Sequence, residues 1–245
     1  MDPLKRTKQN DWFSLFLNPP DVVAVIIILL ALIQAGMGLA PDAIARNIWR
    51  VVELSPTDAL RAVEQGEYFR GIAIPFLGHI FFHINLTHLL LNIVAIGVVG
   101  SFVFHEMETA SPKVRKSDAS AAFAAYFFAS GMFAGLFFVL MNFDSSRAVL
   151  GASGAGAGLF GGAVWILLMR PSEGRRQHSD LRKALTLVLV SLVIVALSIV
   201  LDTSKLSILL FKTASAWQAH VGGYLFGLIA YPFFERLGAA GALKR

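Results

Sequence analysis

The chain has 245 residues, of which 56% are hydrophobic and 15% are charged. This composition is too apolar for an ordinary soluble domain and predicts an all-α, polytopic integral membrane protein. The formal net charge is +5, but the basic residues lie between long uncharged runs and form no stripe with stacking aromatics, which argues against nucleic-acid binding. The sequence contains no cysteine, which excludes disulfides and thiol chemistry.

Residues 1–21 are predicted to form a short cytoplasmic and interfacial segment. Aromatic residues at Trp12 and Phe16 favour the membrane interface, and the prolines at 19 and 20 mark where the first membrane helix begins. The apolar run that follows is too long for the h-region of a signal peptide, so we expect a retained helix.

Six uncharged runs are long enough to cross a bilayer as helices, which takes about 17 to 25 residues each. They cover residues 22–40, 86–104, 119–141, 148–169, 184–201 and 213–234. Together they predict a six-helix core over residues 22–235, with a cytoplasmic tail over residues 236–245.

The distribution of basic residues predicts the orientation of these spans. Fourteen Lys and Arg residues lie at the two termini and in the loops after the second and fourth spans, against three in the loops after the third and fifth. The first loop carries four more Lys and Arg residues, but it is long and also holds five acidic residues. It therefore has less influence on the predicted orientation. Both termini are therefore expected in the cytoplasm, with a bacterial cytoplasmic (inner) membrane as the simplest location.

The first loop, residues 41–85, is expected to lie in the membrane interface. Its apolar residues recur at helical spacing around residues 44–52, which predicts a short amphipathic helix. Ser55, followed by proline, predicts the start of a second helix. The apolar stretch 71–82, which Pro75 interrupts, is too short to span and predicts a re-entrant or interface-lying segment.

Four polar residues inside the predicted spans share one depth, and a polar group within a membrane is costly and indicates function. His88 and Asn92 lie in the second span, four residues apart and hence on one helix face. Ser153 lies in the fourth span and His220 in the sixth. At about 1.5 Å of rise per residue, all four come within about 10 Å of the outer surface.

Small residues predict which of these helices pack together. Glycines recur at four-residue spacing in the fourth and sixth spans, a pattern that lets membrane helices approach closely. These glycines are Gly154, Gly158 and Gly162 in the fourth span, and Gly223 and Gly227 in the sixth. Because Ser153 and His220 lie beside these faces, packing through them would bring the two side chains into contact.

A serine in contact with a histidine is the minimum for nucleophilic catalysis. The imidazole takes the hydroxyl proton as the oxygen attacks a carbonyl, and then returns it to the leaving amine. The backbone N–H of Ser153 and the side chains of His88 and Asn92 are candidate donors to the oxyanion. No Asp or Glu lies near the outer ends of these spans, so we expect a dyad that needs neither a metal nor a cofactor.

These residues resemble the signatures of the rhomboid intramembrane serine proteases. The matching motifs are Gly151-Ala152-Ser153-Gly154 in the fourth span, His220 with Gly223 and Gly227 in the sixth, and His83, His88 and Asn92 at the second. The resemblance implies that Ser153 is the nucleophile and His220 the general base and acid, while His88 and Asn92 stabilise the oxyanion. It also implies single-span transmembrane proteins as substrates, which enter from the lipid bilayer. The fifth span carries no charge and few small residues, which makes it a candidate gate.

Two positions depart from the family pattern. Rhomboids often carry an aromatic residue four positions after the nucleophile, where this chain has Ala157. Trp217 or Tyr224 would then hold the His220 ring. The Trp-Arg pair that usually precedes the first motif histidine is replaced by Ile74 and Pro75, and the pair at residues 49–50 is far upstream.

Other interpretations of the same residues stay open. The glycines around Ser153 could serve helix packing alone, and His79 and His83 could order the interface segment without taking part in chemistry. Histidines 79, 83, 88 and 220 could hold a zinc ion, although no Glu accompanies the helical pair. A transporter or channel with a histidine proton relay is the non-enzymatic alternative. Asn85 matches a glycosylation sequon, but its place at a helix start favours an N-cap.

Overall fold

The computed structural model describes residues 12–170, 175–203 and 216–240. The regular elements of these residues are helices, in agreement with the predicted all-α class. In chain order they are α1 (Trp12–Leu17), α2 (Asp21–Leu39), α3 (Asp42–Val52), α4 (Pro56–Gln65), α5 (Phe69–Gly78), α6 (Leu86–Glu108), α7 (Lys116–Met141), α8 (Ser153–Met169), α9 (Arg175–Thr203) and α10 (Trp217–Ala240). Helices α5 and α6 each include one wider π-helical turn, at Phe69–Ala73 and Ile96–Gly100.

Each of the six predicted spans coincides with a helix. Helices α2, α6 and α7 are long and apolar enough to cross a membrane. Helix α8 is apolar but has only 17 residues, while α9 has 29 and α10 has 24. Helix α10 continues to Ala240, into the predicted tail, and residues 213–215 of the sixth predicted span lie outside the described residues.

The start of the fourth span was predicted wrongly. Helix α8 begins at Ser153 rather than at residue 148, because the preceding backbone is not helical. Val149 forms an isolated antiparallel bridge with Leu54, and Gly151 has a φ of 111°, a conformation that an L side chain rarely adopts. Ser153 is therefore the first residue of its helix.

The first loop contains helices where the sequence predicts them. Helix α3 matches the predicted amphipathic helix, and α4 begins after Ser55, whose Oγ accepts the Asp58 N–H at 3.4 Å. Helix α5 takes the place of the predicted short apolar segment. It lies against its neighbours in the loop, since a Cβ at Gly71 would meet Ala62 of α4.

Helices α7, α8 and α10 form the centre of the molecule. The Tyr126 hydroxyl of α7 is fully buried and donates to two carbonyl oxygens, those of Gly158 on α8 at 2.7 Å and Gly227 on α10 at 3.1 Å. One side chain thus joins all three helices, and its hydroxyl finds hydrogen-bond partners where it lies away from water.

An ion-pair cluster ties the opposite end of α8 to two neighbours. Arg170 follows the last residue of α8 and contacts Glu235 of α10. Its guanidinium also lies 3.7 Å from a carboxylate oxygen of Glu106 on α6. The end of α8 that is remote from Ser153 is therefore fixed by charge, whereas the end at Ser153 is fixed by backbone contacts with the first loop.

Candidate active site

The serine and histidine singled out in the sequence are in contact. The Oγ of Ser153 lies 2.9 Å from Nε2 of His220, although the two residues are 67 positions apart. With the Nε2 nitrogen unprotonated, the hydroxyl donates to the imidazole. This is the arrangement in which a histidine can remove the serine proton as the oxygen attacks a carbonyl.

Close packing of α8 on α10 produces this contact. A Cβ at Gly223 would collide with the carbonyl oxygen of Gly154, and one at Gly227 would collide with that of Gly158. The predicted pairing of the two glycine rows is confirmed. The α8 glycines serve a second neighbour as well, because a Cβ at Gly154 would strike Ala134 of α7.

His88 and Asn92 lie on α6 and line the same cavity as Ser153 and His220. Asn85 caps this helix as predicted, since its Oδ1 accepts the His88 N–H at 2.8 Å. The Asn92 side chain is buried, and its Nδ2 donates to the His88 carbonyl oxygen at 2.9 Å. An amide nitrogen carries two hydrogens, so this bond uses only one of the two donors.

Two histidines hold the backbone that leads into Ser153. The N–H of Gly151 donates to the His79 carbonyl oxygen at 2.7 Å, and the N–H of Ala152 donates to Nε2 of His83 at 3.3 Å. Both side chains are buried, and the Nδ1 of His79 also donates to the Pro75 carbonyl oxygen at 2.8 Å. The interpretation that His79 and His83 order the interface segment without taking part in chemistry stays a prediction.

The His83 imidazole is neutral in this setting. Burial, together with the neighbouring His88, lowers its pKa to about 3. A nitrogen that accepts a hydrogen bond carries no proton, so the His83 proton resides on Nδ1. Its ring meets that of His88 edge-on, with 5.2 Å between the ring centroids.

Gly151 allows the loop before Ser153 to lie directly against His88. Its φ of 111° suits glycine, and a Cβ there would come within 2.9 Å of His88 Nε2. The motif glycine is therefore needed for two reasons, its backbone conformation and its contact with a candidate oxyanion donor.

Sequence reasoning missed two contacts that position the site. The bridge between Leu54 and Val149 joins the first loop to the segment before Ser153. The distance from the Leu54 nitrogen to the Val149 oxygen is 3.3 Å, and that from the Val149 nitrogen to the Leu54 oxygen is 3.0 Å. A bridge of one residue pair leaves no periodic pattern, so no local signal could have revealed it. The role of Tyr126 was detectable in principle, because it places a hydroxyl inside an apolar span.

The four candidate residues open onto one cavity of about 740 Å³. It lies between α6, α8, α9 and α10, and its lining is mainly apolar. Among the described residues that line it there is no Asp, Glu, Lys or Arg. Within the described parts of the chain, no group of three His, Asp or Glu side chains is arranged to hold a metal ion.

The residues concerned in the two departures from the family pattern lie in different parts of the molecule. Ala157 lines the cavity beside the Ser153–His220 pair, and Tyr224 lines it from α10. Trp49 packs edge-on against Phe82 in the first loop, with 6.0 Å between ring centroids. The part that Trp217 or Tyr224 plays in orienting His220 stays a prediction.

The fold and this cavity define a class of protein. It is an α-helical integral membrane protein whose central helices bring a serine hydroxyl and a histidine imidazole together at the start of a glycine-rich helix. A family model described as the Rhomboid domain matches residues 66–236, and the chain therefore belongs to the rhomboid family of intramembrane serine proteases. A search of curated proteins finds no match.

Proposed function

We propose that this protein is an intramembrane serine endopeptidase. It cleaves peptide bonds in or near the transmembrane segment of single-span membrane proteins, with Ser153 as nucleophile and His220 as general base and acid. The observation that carries the proposal is the 2.9 Å contact between Ser153 Oγ and His220 Nε2, which opens onto a cavity among apolar helices.

The reaction follows the chemistry of the two side chains. Ser153 Oγ attacks the scissile carbonyl carbon while His220 Nε2 takes the hydroxyl proton. The C–N bond then breaks, and His220 returns the proton to the leaving amine. A water molecule attacks the resulting ester, gives its proton to His220, and releases the carboxylic acid as Ser153 regains its hydrogen.

The oxyanion formed in each step needs donors that are already in place. His88 and Asn92 line the cavity and supply side-chain donors. Ser153 begins α8, so its backbone N–H has no carbonyl partner within the helix and lies at the positive end of the helix dipole. These three groups are proposed to bind the oxyanion.

Substrate entry is proposed to occur between α6 and α9, whose side chains line opposite parts of the cavity. The native chain has no cysteine, so cysteine pairs placed on α6 and α9 would be the only thiols. Oxidative cross-linking is expected to stop cleavage of a membrane substrate, and reduction to restore it. Unchanged cleavage after complete cross-linking would refute the gate.

The proposed orientation follows from the charge distribution, which assigns both termini to the cytoplasm. The protease core, residues 22–235, is assigned to a bacterial inner membrane, the simplest location for a bare six-helix core. This orientation places the start of α8, and so Ser153, near the outer surface, where a modest cavity lets water reach the ester.

The deciding experiment is cleavage of a single-span membrane substrate by the purified protein in detergent. Ser153→Ala and His220→Ala are each expected to abolish cleavage. Ser191→Ala is the matched control, because Ser191 lines the same cavity but donates its hydroxyl to the Leu187 carbonyl oxygen at 2.8 Å. Cleavage should persist in that variant.

The same assay distinguishes the alternatives. If cleavage survives a metal chelator and requires both Ser153 and His220, the dyad stands. Loss of cleavage on chelation alone would favour the histidine metal site. If the wild type cleaves no membrane substrate, the transporter or channel interpretation becomes the leading one.

A further inference from the structure

A second cavity lies at the end of the helices that is remote from Ser153. Its walls come from α1, the turn between α1 and α2, the last turns of α6 and the first residue of α7. The far end of α8 contacts the same part of α6, through Arg170 and Glu106. The cavity has a volume of about 250 Å³, far more than the roughly 30 Å³ that one water molecule occupies in the liquid.

One wall of this cavity holds a buried hydroxyl that the protein does not use. Ser101 of α6 lines the cavity and is fully buried, and its Oγ has no hydrogen-bond partner among the described residues. Serines inside a helix often donate to the carbonyl oxygen one turn earlier, as Ser130 and Ser191 do at 2.8 Å. Because buried polar groups almost always have a partner, the Ser101 hydroxyl indicates a ligand.

The starts of α2 and α7 form the side of the cavity that favours an anion. Pro20 precedes the first residue of α2, Lys116 is the first residue of α7, and both line the cavity. Neither helix has a side-chain cap, and the positive ends of two helix dipoles meet here. The Lys116 ammonium lies 2.6 Å from a carboxylate oxygen of Asp21. An ammonium has three hydrogens, so two of them remain for a phosphate.

Glu108 gives the cavity the opposite charge as well. It is the last residue of α6, and its carboxylate repels a ligand that carries only negative charge. A primary ammonium donates charge-assisted hydrogen bonds to a carboxylate, whereas a quaternary ammonium is held by the faces of aromatic rings. Phe104 also lines the cavity but is only 1% exposed. A phosphate joined to a primary ammonium therefore suits the lining best.

These polar groups follow one another along one face of α6. Ser101, Phe104 and Glu108 lie at spacings of three and four residues, and Ser101 lies two turns, about 10 Å, closer to the bilayer centre than Glu108. A phospholipid with an ethanolamine headgroup carries its ammonium, its phosphate and its ester oxygens in that order from the water inward. The ammonium then meets Glu108, and an ester oxygen accepts the Ser101 hydroxyl.

Helix α2 offers a surface for the acyl chains of such a lipid. Its 19 residues rise about 28 Å, close to the roughly 30 Å of the hydrocarbon core, so its first residue lies at the level of the headgroups. From Asp21, the exposed apolar side chains Val25, Ile28 and Leu32 continue along the same face of the helix. Acyl chains on this face stay within the bilayer while the headgroup enters the cavity.

We propose that this cavity binds the headgroup of phosphatidylethanolamine from the leaflet on that side, which is the cytoplasmic leaflet in the orientation proposed above. Lys116 and the two helix starts hold the phosphate, Glu108 holds the ammonium, and Ser101 donates to an ester oxygen. The lipid thereby joins α1, α2, α6 and α7. The site is separate from the Ser153–His220 pair and does not depend on the proteolytic function.

The test titrates the purified full-length protein in detergent with lipids and measures binding by native mass spectrometry. The lipids have identical acyl chains and differ in headgroup: phosphatidylethanolamine, phosphatidylcholine and phosphatidylglycerol. Glycerophosphoethanolamine, which lacks acyl chains, tests a soluble source of the same headgroup. We expect phosphatidylethanolamine to bind about tenfold more tightly than the other two lipids, the scale of one hydrogen bond to a charged group. Glycerophosphoethanolamine is expected to bind more weakly than the lipid.

Three variants test the assigned contacts. Glu108→Gln should lower the affinity for phosphatidylethanolamine about tenfold and abolish its advantage over phosphatidylglycerol. Lys116→Gln should weaken the binding of both lipids. Ser101→Ala should weaken lipid binding without lowering the thermal stability of the lipid-free protein, because the hydroxyl has no partner among the described residues.

Two matched controls remove the same charges from positions outside the cavity. They are Glu64→Gln on α4 and Lys113→Gln before α7, and both should bind lipids as the wild type does. Equal binding of the three lipids by the wild type, or equal losses in the controls, overturns the site. Binding of glycerophosphoethanolamine as tight as that of the lipid overturns the membrane as its source. If a variant does not fold, the wild-type lipid series decides alone, and none of these outcomes bears on cleavage by Ser153.

Discussion

Helices α2 and α8 are both apolar, yet they occupy opposite environments. In α2 the buried residues are only Val23, Ile26 and Leu30, and large side chains such as Leu32 point outward. In α8 most of the helix is buried, and small residues dominate it: the buried set is Gly154, Ala155, Gly156, Gly158, Leu159, Gly161, Gly162, Ala163, Val164, Ile166 and Leu167.

The difference shows that side-chain size, rather than hydrophobicity, separates a peripheral from a central membrane helix. Lipid solvates leucine and isoleucine as well as a protein interior does, so apolar character gives no preference for the centre. Small residues do favour the centre, because they let the backbones of neighbouring helices approach to contact distance. The central helix is also where polar side chains find partners.

The strongest test of this comparison places the same substitution on both kinds of helix. Gly227→Val on α10 would drive a side chain into the carbonyl of Gly158, so we expect loss of a stable, monodisperse protein. Gly38→Val on α2, where a Cβ meets nothing within 4 Å, should have little effect. The size-exclusion profile and the thermal unfolding of each variant are measured. Equal tolerance of the two variants would contradict the comparison.

A smaller effect is expected from the hydroxyl that joins the three central helices. Tyr126→Phe leaves the buried Gly158 and Gly227 carbonyls without this donor, which should lower the free energy of unfolding by about 1–3 kcal/mol. Tyr68→Phe is the control, because Tyr68 is 60% exposed. If Tyr126→Phe lowers the free energy of unfolding no more than the control does, packing alone holds the three central helices together.

The smallest expected effect concerns pH and the start of α8. Burial lowers the pKa of His83 from 6.5 to about 3, so the unfolded chain binds a proton that the folded protein excludes. The contribution of the neutral His83 imidazole to the free energy of unfolding is greatest above pH 6.5 and declines as the pH falls towards 3. The unfolding temperature of the wild type should therefore drop in acid more steeply than that of His83→Gln. If the unfolding temperatures of the two proteins fall in parallel as the pH is lowered, the buried neutral His83 does not contribute to stability in this way.

Much of this architecture could be predicted because it follows local rules. Run lengths located the helices, Ser55 and Asn85 were recognisable caps, and glycine spacing identified the contact between α8 and α10. The meeting of Ser153 with His220 followed from those glycines. Each of these predictions rests on a pattern of residues within a few turns of one helix, even where two such patterns together predict a contact between distant parts of the chain.

The features that escaped prediction depend on distant parts of the chain. Helix α8 starts late because Val149 pairs with Leu54 and Gly151 donates to the His79 carbonyl, and neither partner is near in sequence. The double role of the α8 glycines, facing α7 as well as α10, also depends on the arrangement of three helices. Hydropathy and spacing do not encode such pairings.

The order of the helices has a consequence for biosynthesis. Ser153 belongs to α8, whereas His220 comes from α10, the last helix that the structure describes. Segments of a growing chain are made and inserted from the N-terminus onward. On the proposed function, a ribosome-bound intermediate that ends before α10 has the hydroxyl but lacks the base that activates it. The protease would therefore remain silent towards neighbouring nascent proteins until α10 has been synthesised and inserted.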